Sequence, residues 1–208
     1  MQETEGVIKY HLNYKQTAAN SDWPLATMNS WRCLLYKLDL IGQNPARYKG
    51  YGYGNISQRL TGEQFIISGT QTGGISHLHA QHYCLIEKVD LAHNQVDSSG
   101  PCQPSSEALT HASVYAQSKK INCVIHAHST EIWQATQALE LPHTLANIAY
   151  GTPEMAEAVN QLFQSEQLQQ HSLFTMLGHE DGVIAFGDDF AQTACTLINL
   201  LAKSKQLN

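Results

Sequence analysis

The sequence predicts an α/β fold in which helices cover a mixed β-sheet. Strand-like and helical stretches alternate along the 208 residues, as in proteins whose sheet lies beneath helices. Two late apolar runs are joined by Glu180-Asp181-Gly182, and because Asp-Gly is a preferred hairpin turn, antiparallel pairs are expected as well. No linker, charge block or repeat divides the chain, which predicts one domain over residues 1–208.

The first half of the chain predicts one helix followed by short strands. Pro24 suits the first position of a helix that runs through Leu38, and Gly42 is expected to end it. The glycine-rich segment 50–54 precedes a strand rather than a helix, which excludes a dinucleotide-binding fingerprint. The predicted strands lie near Ile56–Leu60, Gln64–Ile67 and Tyr83–Val89.

The segment Pro104-Ser105-Ser106-Glu107 predicts the start of the next helix. A serine serves as its N-cap, and Glu107 lies in the first turn, where the helix dipole favours a carboxylate. Glu107 and His111 are four residues apart and therefore share one face of the helix. The opposite face carries the predicted core stripe of Leu109, Ala112 and Ala116.

The second half of the chain continues the alternation. An apolar strand ends at His126-Ala127-His128 and is followed by a helix. The pair Thr152-Pro153 supplies an N-cap and a first-turn proline, which predicts a helix through Phe163. Asp188 or Asp189 caps a terminal helix that is rich in Ala, Leu and Ile. Further strands are predicted at His143–Tyr150, Leu173–Leu177 and Val183–Phe186.

Composition excludes several classes of function. The formal net charge is −6 and the Lys and Arg residues are scattered, so no basic stripe could follow a nucleic-acid backbone. The acidic start of the chain does not resemble a signal peptide, and no apolar stretch reaches membrane-spanning length. A cytoplasmic protein is expected, and a reducing compartment also suits an odd number of widely spaced cysteines, namely Cys33, Cys84, Cys102, Cys123 and Cys195.

The His126-Ala127-His128 segment is the strongest chemical signal in the sequence. Side chains two residues apart on a strand project from the same face, so both imidazoles can bind one ion. Neutral imidazole suits zinc and other first-row divalent metals, and three protein ligands with an open position are typical of catalytic sites. The alternative is two histidines at an exposed strand edge. A second pair, His77 and His79, lies among polar residues and is predicted to belong to a loop rather than to a ligand set.

Three segments have the features of an anion site. Glycine-bearing turns expose backbone N–H groups, and hydroxyls at a helix N-terminus add donors beside the positive end of the dipole. These features occur in Gly54-Asn55-Ile56-Ser57, in Ser68-Gly69-Thr70 and in Pro104-Ser105-Ser106-Glu107. Phosphate or carboxylate would fit such a site. Each segment alone could equally be an ordinary turn or helix cap.

In their order and spacing, these segments resemble the class II aldolase/adducin family. The resemblance runs from about Gly54 to Gly187, and Tyr150-Gly151-Thr152-Pro153-Glu154 is also similar to family members. It implies a three-layer α/β/α fold with a central, mainly antiparallel sheet flanked by helices. It also implies a homo-oligomer, usually a tetramer, with active sites between subunits.

The resemblance further implies roles for particular residues. A divalent metal ion, most commonly zinc, with manganese, cobalt or iron as alternatives, would be bound by His126, His128 and His179. Glu107 would be the proton-transfer base and could also contact the metal. The phosphate of a substrate would be held by Gly54, Asn55, Ser68, Gly69, Ser105 and Ser106.

These roles predict a metal-dependent lyase that acts on a small carbohydrate-like molecule. It would cleave a hydroxy-ketone sugar or sugar phosphate by an aldol-type reaction, through an enediolate that the metal stabilises. An epimerase or a dehydratase on the same scaffold would use the same intermediate. A non-catalytic assembly module, like the adducin head, is the third interpretation.

Three departures from the family pattern leave parts of this interpretation open. The third histidine of the family is normally followed by glycine, whereas His179 is followed by Glu180-Asp181-Gly182. Family aldolases often use a tyrosine from a neighbour's C-terminal tail, but residues 203–208 contain no aromatic, so the general acid is unassigned. The anion segments contain no lysine and only Arg59 is nearby, so the anion could be a carboxylate or could be absent.

Overall fold

A nine-stranded sheet forms the centre of the computed structural model, which describes residues 6–169 and 171–207. The strands are β1 His11–Gln16, β2 Gly42–Gln43, β3 Gly52–Tyr53, β4 Asn55–Arg59, β5 Phe65–Ser68, β6 Tyr83–Asp90, β7 Gln95–Gly100, β8 Cys123–His128, β9 His143–Thr144, β10 Leu173–Met176 and β11 Gly182–Gly187. The helices are α1 Leu25–Lys37, α2 Ala108–Gln117, α3 Thr130–Gln134, α4 Pro153–Gln164 and α5 Phe190–Ser204.

The sheet is mixed but mostly antiparallel. Its strand order is β1-β7-β6-β5-β4-β8-β11-β10-β9, and only the two outermost pairs, β1 with β7 and β9 with β10, are parallel. A separate ribbon pairs β2 with β3. The late hairpin predicted from Asp-Gly is confirmed, because β10 and β11 pair antiparallel.

Helices cover both faces of the sheet, so the predicted three-layer α/β/α arrangement is confirmed. Helices α2 and α4 pack on one face, and α1, α3 and α5 pack on the other. Strand β8 shows how the sequence serves both cores. Val124 packs beneath α2 and α4, whereas Cys123 and Ile125 pack on the opposite side, as the alternation of a strand requires.

Two predicted helix caps are confirmed. The Thr152 side chain accepts a hydrogen bond from Met155 N–H, with Pro153 at the first helical position of α4. Asp189, rather than Asp188, caps α5 by accepting from Gln192 N–H at 2.8 Å. Across the part of the chain that the structure describes, no helix has the length and apolarity needed to cross a membrane.

The predicted end of α1 at Gly42 is wrong. The helix ends at Lys37, and Asp39 takes the left-handed conformation with φ of 58°. Asp39 N–H bonds to Tyr36 O, and Leu40 N–H bonds to Leu35 O, which is the Schellman pattern. Aspartate tolerates this conformation better than most residues. Asp39 therefore ends the helix in the role that was expected of Gly42.

Other predictions failed at polar strands and turns. The strand predicted over His143–Tyr150 covers only His143–Thr144, because the chain then turns and Ile148 N–H bonds to Leu145 O. Strands β1 and β7 were not predicted. Both are rich in polar residues, and β1 forms a largely exposed edge of the sheet, so neither shows a strong apolar pattern.

Helix α2 is buried on more sides than its apolar stripe indicated. Leu109 and Ala112 lie in the core as predicted, but Ala116 is exposed and His111 is buried. Glu107, rather than a serine, occupies the N-cap position, and Ser105 Oγ accepts from Glu107 N–H at 3.2 Å. The helix is enclosed between the sheet and α4, so both of its faces meet protein.

The buried guanidinium of Arg32 in α1 organises the loop 72–76. It is 1% exposed and donates hydrogen bonds only to backbone carbonyls in the described structure. These carbonyls belong to Thr72, Gly73, Ile75 and Ser76. Burial lowers the pKa of Arg32. A single planar cation thus satisfies several acceptors that would otherwise be buried without partners.

We therefore predict that Arg32→Lys destabilises the protein strongly. A lysine ammonium cannot span these carbonyls, so the free energy of unfolding should fall by about 3 kcal/mol. Urea denaturation followed by circular dichroism measures this change. Lys37→Arg on the exposed side of the same helix is the control and should change stability by less than about 0.5 kcal/mol. Equal effects of the two variants would contradict the assigned role.

Candidate active site

His126 and His128 project from the same face of β8, as the strand period predicts. Their Nε2 atoms are 3.1 Å apart, and both side chains are fully buried. The intervening Ala127 packs into the opposite core with Ile125. The alternative interpretation, two histidines at an exposed strand edge, is therefore excluded.

His179 reaches the same place from a turn between β10 and β11. Strand β11 pairs with β8 so that Gly182 lies opposite His128, which sets the turn beside the end of β8. Gly182 leaves room for the imidazole, since a Cβ there would lie 2.6 Å from His179 Cδ2. One ligand atom from each of His126, His128 and His179 lies within 4.8 Å of the others, so the three residues could hold a metal ion.

Glu107 completes this cluster from the start of α2. Its Oε1 atom is 3.7 Å from His179 Nε2 and 4.0 Å from His126 Nε2. The side chain is fully buried beneath the helix. Position and burial together place one carboxylate against the imidazoles, close enough to approach an ion that they bind.

The electrostatics of the cluster favour neutral imidazoles. Burial, reinforced by the neighbouring His179, lowers the pKa of His126 well below its usual value. Burial and the adjacent His126 lower the pKa of His128 in the same way. Neutral imidazole is the form that binds metals, and three nitrogen donors beside a carboxylate match the donor set of a catalytic divalent site.

Most of the predicted anion-binding residues line one pocket. Gly54, Asn55, Gly69, Ser105 and Ser106 all contribute to it, whereas Ser68 does not and instead accepts from Ile56 N–H through its Oγ atom. Asn55 Oδ1 is buried without a hydrogen-bond partner among the described residues. The other lining residues are Gly6, Gly52, Thr70, Gln71, Thr72 and Gly73.

Gly54 joins this pocket to the histidine cluster. Its φ of 72° lies in the left-handed region, and a Cβ there would lie 2.8 Å from Ile41 Cγ1 and 3.0 Å from His126 O. Only glycine satisfies both the conformation and the close approach. The next residue, Asn55, lies directly opposite His126 in the pairing of β4 with β8.

The pocket has no cationic side chain of its own among the described residues. Neither Lys nor Arg is among its lining residues within the described ranges. Arg59, the nearby cation noted in the sequence, instead donates to the carbonyls of Ile121, Gly62, Tyr115 and Ser118. Anion binding there would depend on backbone N–H groups and hydroxyls.

Three tyrosines contact histidines of the cluster, and sequence reasoning did not assign them to the site. Tyr48 packs edge-on against His128 with ring centres 4.7 Å apart, and Tyr53 lies 5.5 Å from the same ring. Tyr150 packs against His179 at 4.7 Å. Tyr150 does belong to the Tyr150-Gly151 segment of the family pattern, which was a usable signal. Nothing in the sequence indicated which rings Tyr48 and Tyr53 would meet.

His77, His79 and His111 are not among the histidines that could together hold a metal ion in the described structure. His77 and His79 are exposed, and His79 N–H donates to His82 Nδ1 in a short helical turn, which agrees with the predicted loop. His111 lies one helical turn beyond Glu107 and is hydrogen-bonded through Nδ1 to Ser57 Oγ at 2.7 Å. Ser57 Oγ is also 2.8 Å from Tyr115 OH.

Comparison with a family model identifies the family of this chain. The model for the class II aldolase and adducin N-terminal domain matches residues 46–204. The chain belongs to this family. The resemblance first seen in the sequence motifs is thus confirmed over most of the chain.

One named protein is similar to part of this chain. A probable L-ribulose-5-phosphate 4-epimerase, UlaF, from Mycoplasma pneumoniae is 33% identical over 88 residues, which are 41% of this chain. That alignment spans only 34% of the relative's own length.

Solved structures of aldolases share the fold. An L-fuculose-1-phosphate aldolase from Thermus thermophilus has a TM-score of 0.63 at 19% identity, covering 88% of this chain and 91% of that one. A sugar-phosphate aldolase from Thermotoga maritima also has a TM-score of 0.63, at 16% identity over 86% of this chain and 91% of that one. These similarities show that this chain shares its fold with those structures.

The buried His111 predicts how stability depends on pH. Burial lowers its pKa to about 3 in the folded protein, whereas an unfolded histidine titrates near 6.5. As the pH falls below about 6.5, the unfolded chain gains a proton that the folded chain does not, so stability decreases towards pH 3. This residue alone should reduce the free energy of unfolding by about 2 kcal/mol between about pH 7 and about pH 5.

Comparison of two variants isolates this contribution. His111→Asn should show a smaller loss of stability over that interval than the parent protein, measured by urea denaturation in the presence of a chelator. Tyr115→Phe disturbs the same hydrogen-bond network without removing the imidazole, so it should keep the full pH dependence. If His111→Asn and the parent lost stability equally, the buried neutral state of His111 would be disproved.

Proposed function

We propose that this chain is a divalent-metal-dependent lyase that cleaves a hydroxy-ketone sugar or sugar phosphate by an aldol-type reaction. One observation carries the proposal, namely the convergence of Glu107 with His126, His128 and His179 in a buried cluster. A purely structural core has little use for three imidazoles and a carboxylate in contact, because burying ionisable groups is costly.

His126, His128 and His179 would hold the ion, with zinc as the first choice because of the all-nitrogen donor set. Manganese, cobalt and iron are alternatives. The bound cation would supply positive charge where negative charge develops on adjacent substrate oxygens. Burial favours the neutral forms of His126 and His128.

Glu107 would be the catalytic base. Its carboxylate approaches two of the three imidazoles, so it lies beside the point where a substrate carbonyl would be bound. Residues around it exclude bulk water, which keeps a transferred proton within the site. In an aldol cleavage, Glu107 would take the proton from the hydroxyl group whose carbon becomes the new carbonyl.

The pocket beside Gly54 would hold the anionic end of the substrate. Ser106 lines this pocket and is followed directly by Glu107, while Asn55 lines it and lies opposite His126. A sugar phosphate could therefore place its phosphate on N–H and hydroxyl donors while its carbonyl faces the imidazoles.

An epimerase acting on the same class of substrate is the second candidate. It is favoured by the relative from Mycoplasma pneumoniae, which is named as a probable L-ribulose-5-phosphate 4-epimerase. Breaking and re-forming one carbon–carbon bond would need the same base and the same charge stabilisation. A dehydratase on the same scaffold is a further variant, and a non-catalytic adducin-like module would need no metal.

The proposal includes a cytoplasmic homo-oligomer, a tetramer by family resemblance. Exposed leucines support a subunit interface, for example Leu145 at 61% and Leu34 at 45% exposure. Cys33 and Cys195 are accessible free thiols, which suits a reducing compartment. Sedimentation equilibrium at several concentrations tests the tetramer.

Metal analysis is the first test of the proposal. Protein purified without added metal should contain about one divalent ion per chain, and removal with a chelator should lower its melting temperature by several degrees. Differential scanning calorimetry with and without zinc measures the shift. A metal-free protein whose stability is the same in chelator would favour the assembly module.

The second test separates the reactions. A panel of ketose phosphates and free ketoses should yield carbonyl fragments if the protein is a lyase, and an epimerised product without fragments would favour the second candidate.

Glu107→Gln should lower kcat by about 100-fold or more while metal content is kept, because it removes the base but preserves the side-chain shape. Near-normal turnover would remove the role of Glu107. Glu154→Gln, in the first turn of α4 outside the cluster, is the control.

A further inference from the structure

Asp181 is a buried carboxylate in the same turn as His179. It is only 6% exposed and accepts hydrogen bonds from Tyr48 OH at 2.6 Å and Thr130 Oγ1 at 2.8 Å. Arg47 Nη2 lies 3.5 Å from the same oxygen. One carboxylate oxygen therefore joins three segments of the chain that are far apart in sequence.

Each of these segments holds or touches a metal-ligating histidine. Asp181 follows His179 by two residues, and Thr130 follows His128 by two residues. The ring of Tyr48 packs edge-on against His128, with ring centres 4.7 Å apart. A backbone hydrogen bond joins the same two segments, since Ser129 N–H donates to Asp181 O at 2.9 Å.

Arg47 anchors this arrangement to the end of α1. Its Nη1 donates to Asp39 at 2.9 Å and its Nη2 to Tyr48 OH at 2.6 Å. The guanidinium also lies 4.9 Å from the ring centres of both Tyr48 and Tyr53. Tyr53 OH donates to the other oxygen of Asp39. Tyr48 is thus held at both its ring and its hydroxyl.

The neighbouring Glu180 shows that an acidic side chain in this turn is not buried merely because of its charge. Both acids belong to one turn, but Glu180 is exposed, whereas Asp181 is buried and bonded to two donors. Asp181 also has φ of 62°, a conformation that aspartate tolerates better than most residues. The conformation of the turn therefore directs the Asp181 side chain inwards.

We propose that Asp181 is a positioning residue of the metal centre, fixing the separation of His179 from His128. Its carboxylate ties the turn that bears His179 to the start of α3 and to the tyrosine that packs on His128. Groups that orient metal ligands typically change metal affinity by about 10- to 100-fold when removed. This inference rests on the proposed metal function, since it assigns Asp181 a role towards that ion.

Cobalt(II) binding tests the proposal directly. Affinity is measured by competition with a chromophoric chelator, and ligand geometry by the visible absorption of the cobalt-loaded protein. Asp181→Gly removes the carboxylate but keeps the left-handed turn free of strain, and it should weaken binding by about 10- to 100-fold and alter the absorption intensity.

Two further variants distinguish positioning from general effects. Asp181→Asn keeps an acceptor oxygen for Tyr48 and Thr130, so it should bind cobalt within a few-fold of the parent protein. Glu180→Gly removes the exposed acid of the same turn and should leave affinity and spectrum unchanged. If Asp181→Gly matched Glu180→Gly in both measurements, the proposal would be overturned.

The remaining outcomes are also decisive. If the parent protein itself bound no cobalt, the proposed metal function would fall together with this inference. If Asp181→Gly did not fold, the double variant Tyr48→Phe with Thr130→Val would replace it, because it keeps the rings and removes both donors to Asp181. Several-fold weaker binding supports the proposal, and unchanged affinity and spectrum contradict it.

Discussion

The antiparallel pairing of β8 with β11 is the constraint on which the candidate site depends. It places Gly182 opposite His128 and Ile184 opposite His126, so the turn that bears His179 lies at the end of the strand that bears the other two imidazoles. Because side chains alternate along a strand, a shift of one residue in β8 would turn both histidines into the opposite core. Valine, isoleucine and phenylalanine on the two strands oppose such a shift by filling both cores.

Much of the site could be predicted from local sequence patterns. The strand period predicted the shared face of His126 and His128, and turn chemistry marked the segments of Gly54, Gly69 and the two serines as candidate anion sites. The approach of His179 could not be read from spacing, because 50 residues separate it from His128 and only the pairing of strands joins them. Family resemblance supplied that link. The prediction of a single domain over residues 1–208 stays a prediction.

The errors have a common physical origin in tertiary contacts. The stripe on α2 misassigned Ala116 and His111 because a helix enclosed between a sheet and another helix is buried on both faces. The edge strand β1 and its neighbour β7 are rich in polar residues and are joined by backbone pairing, so their sequences resemble loops. The tyrosines that meet His128 come from a segment whose path is set by Arg47 and Asp39, and that network has no local signature.

Ser106 and Glu107 are neighbours in sequence, yet one lines the pocket beside Gly54 and the other meets the imidazoles. Their Cα atoms are separated by a single peptide unit of about 3.8 Å. Under the proposed function, this adjacency would suit a substrate whose charged end and reacting carbon are connected by only a few bonds. A molecule with a long spacer would then fit poorly, so length would limit the range of accepted compounds before stereochemistry does.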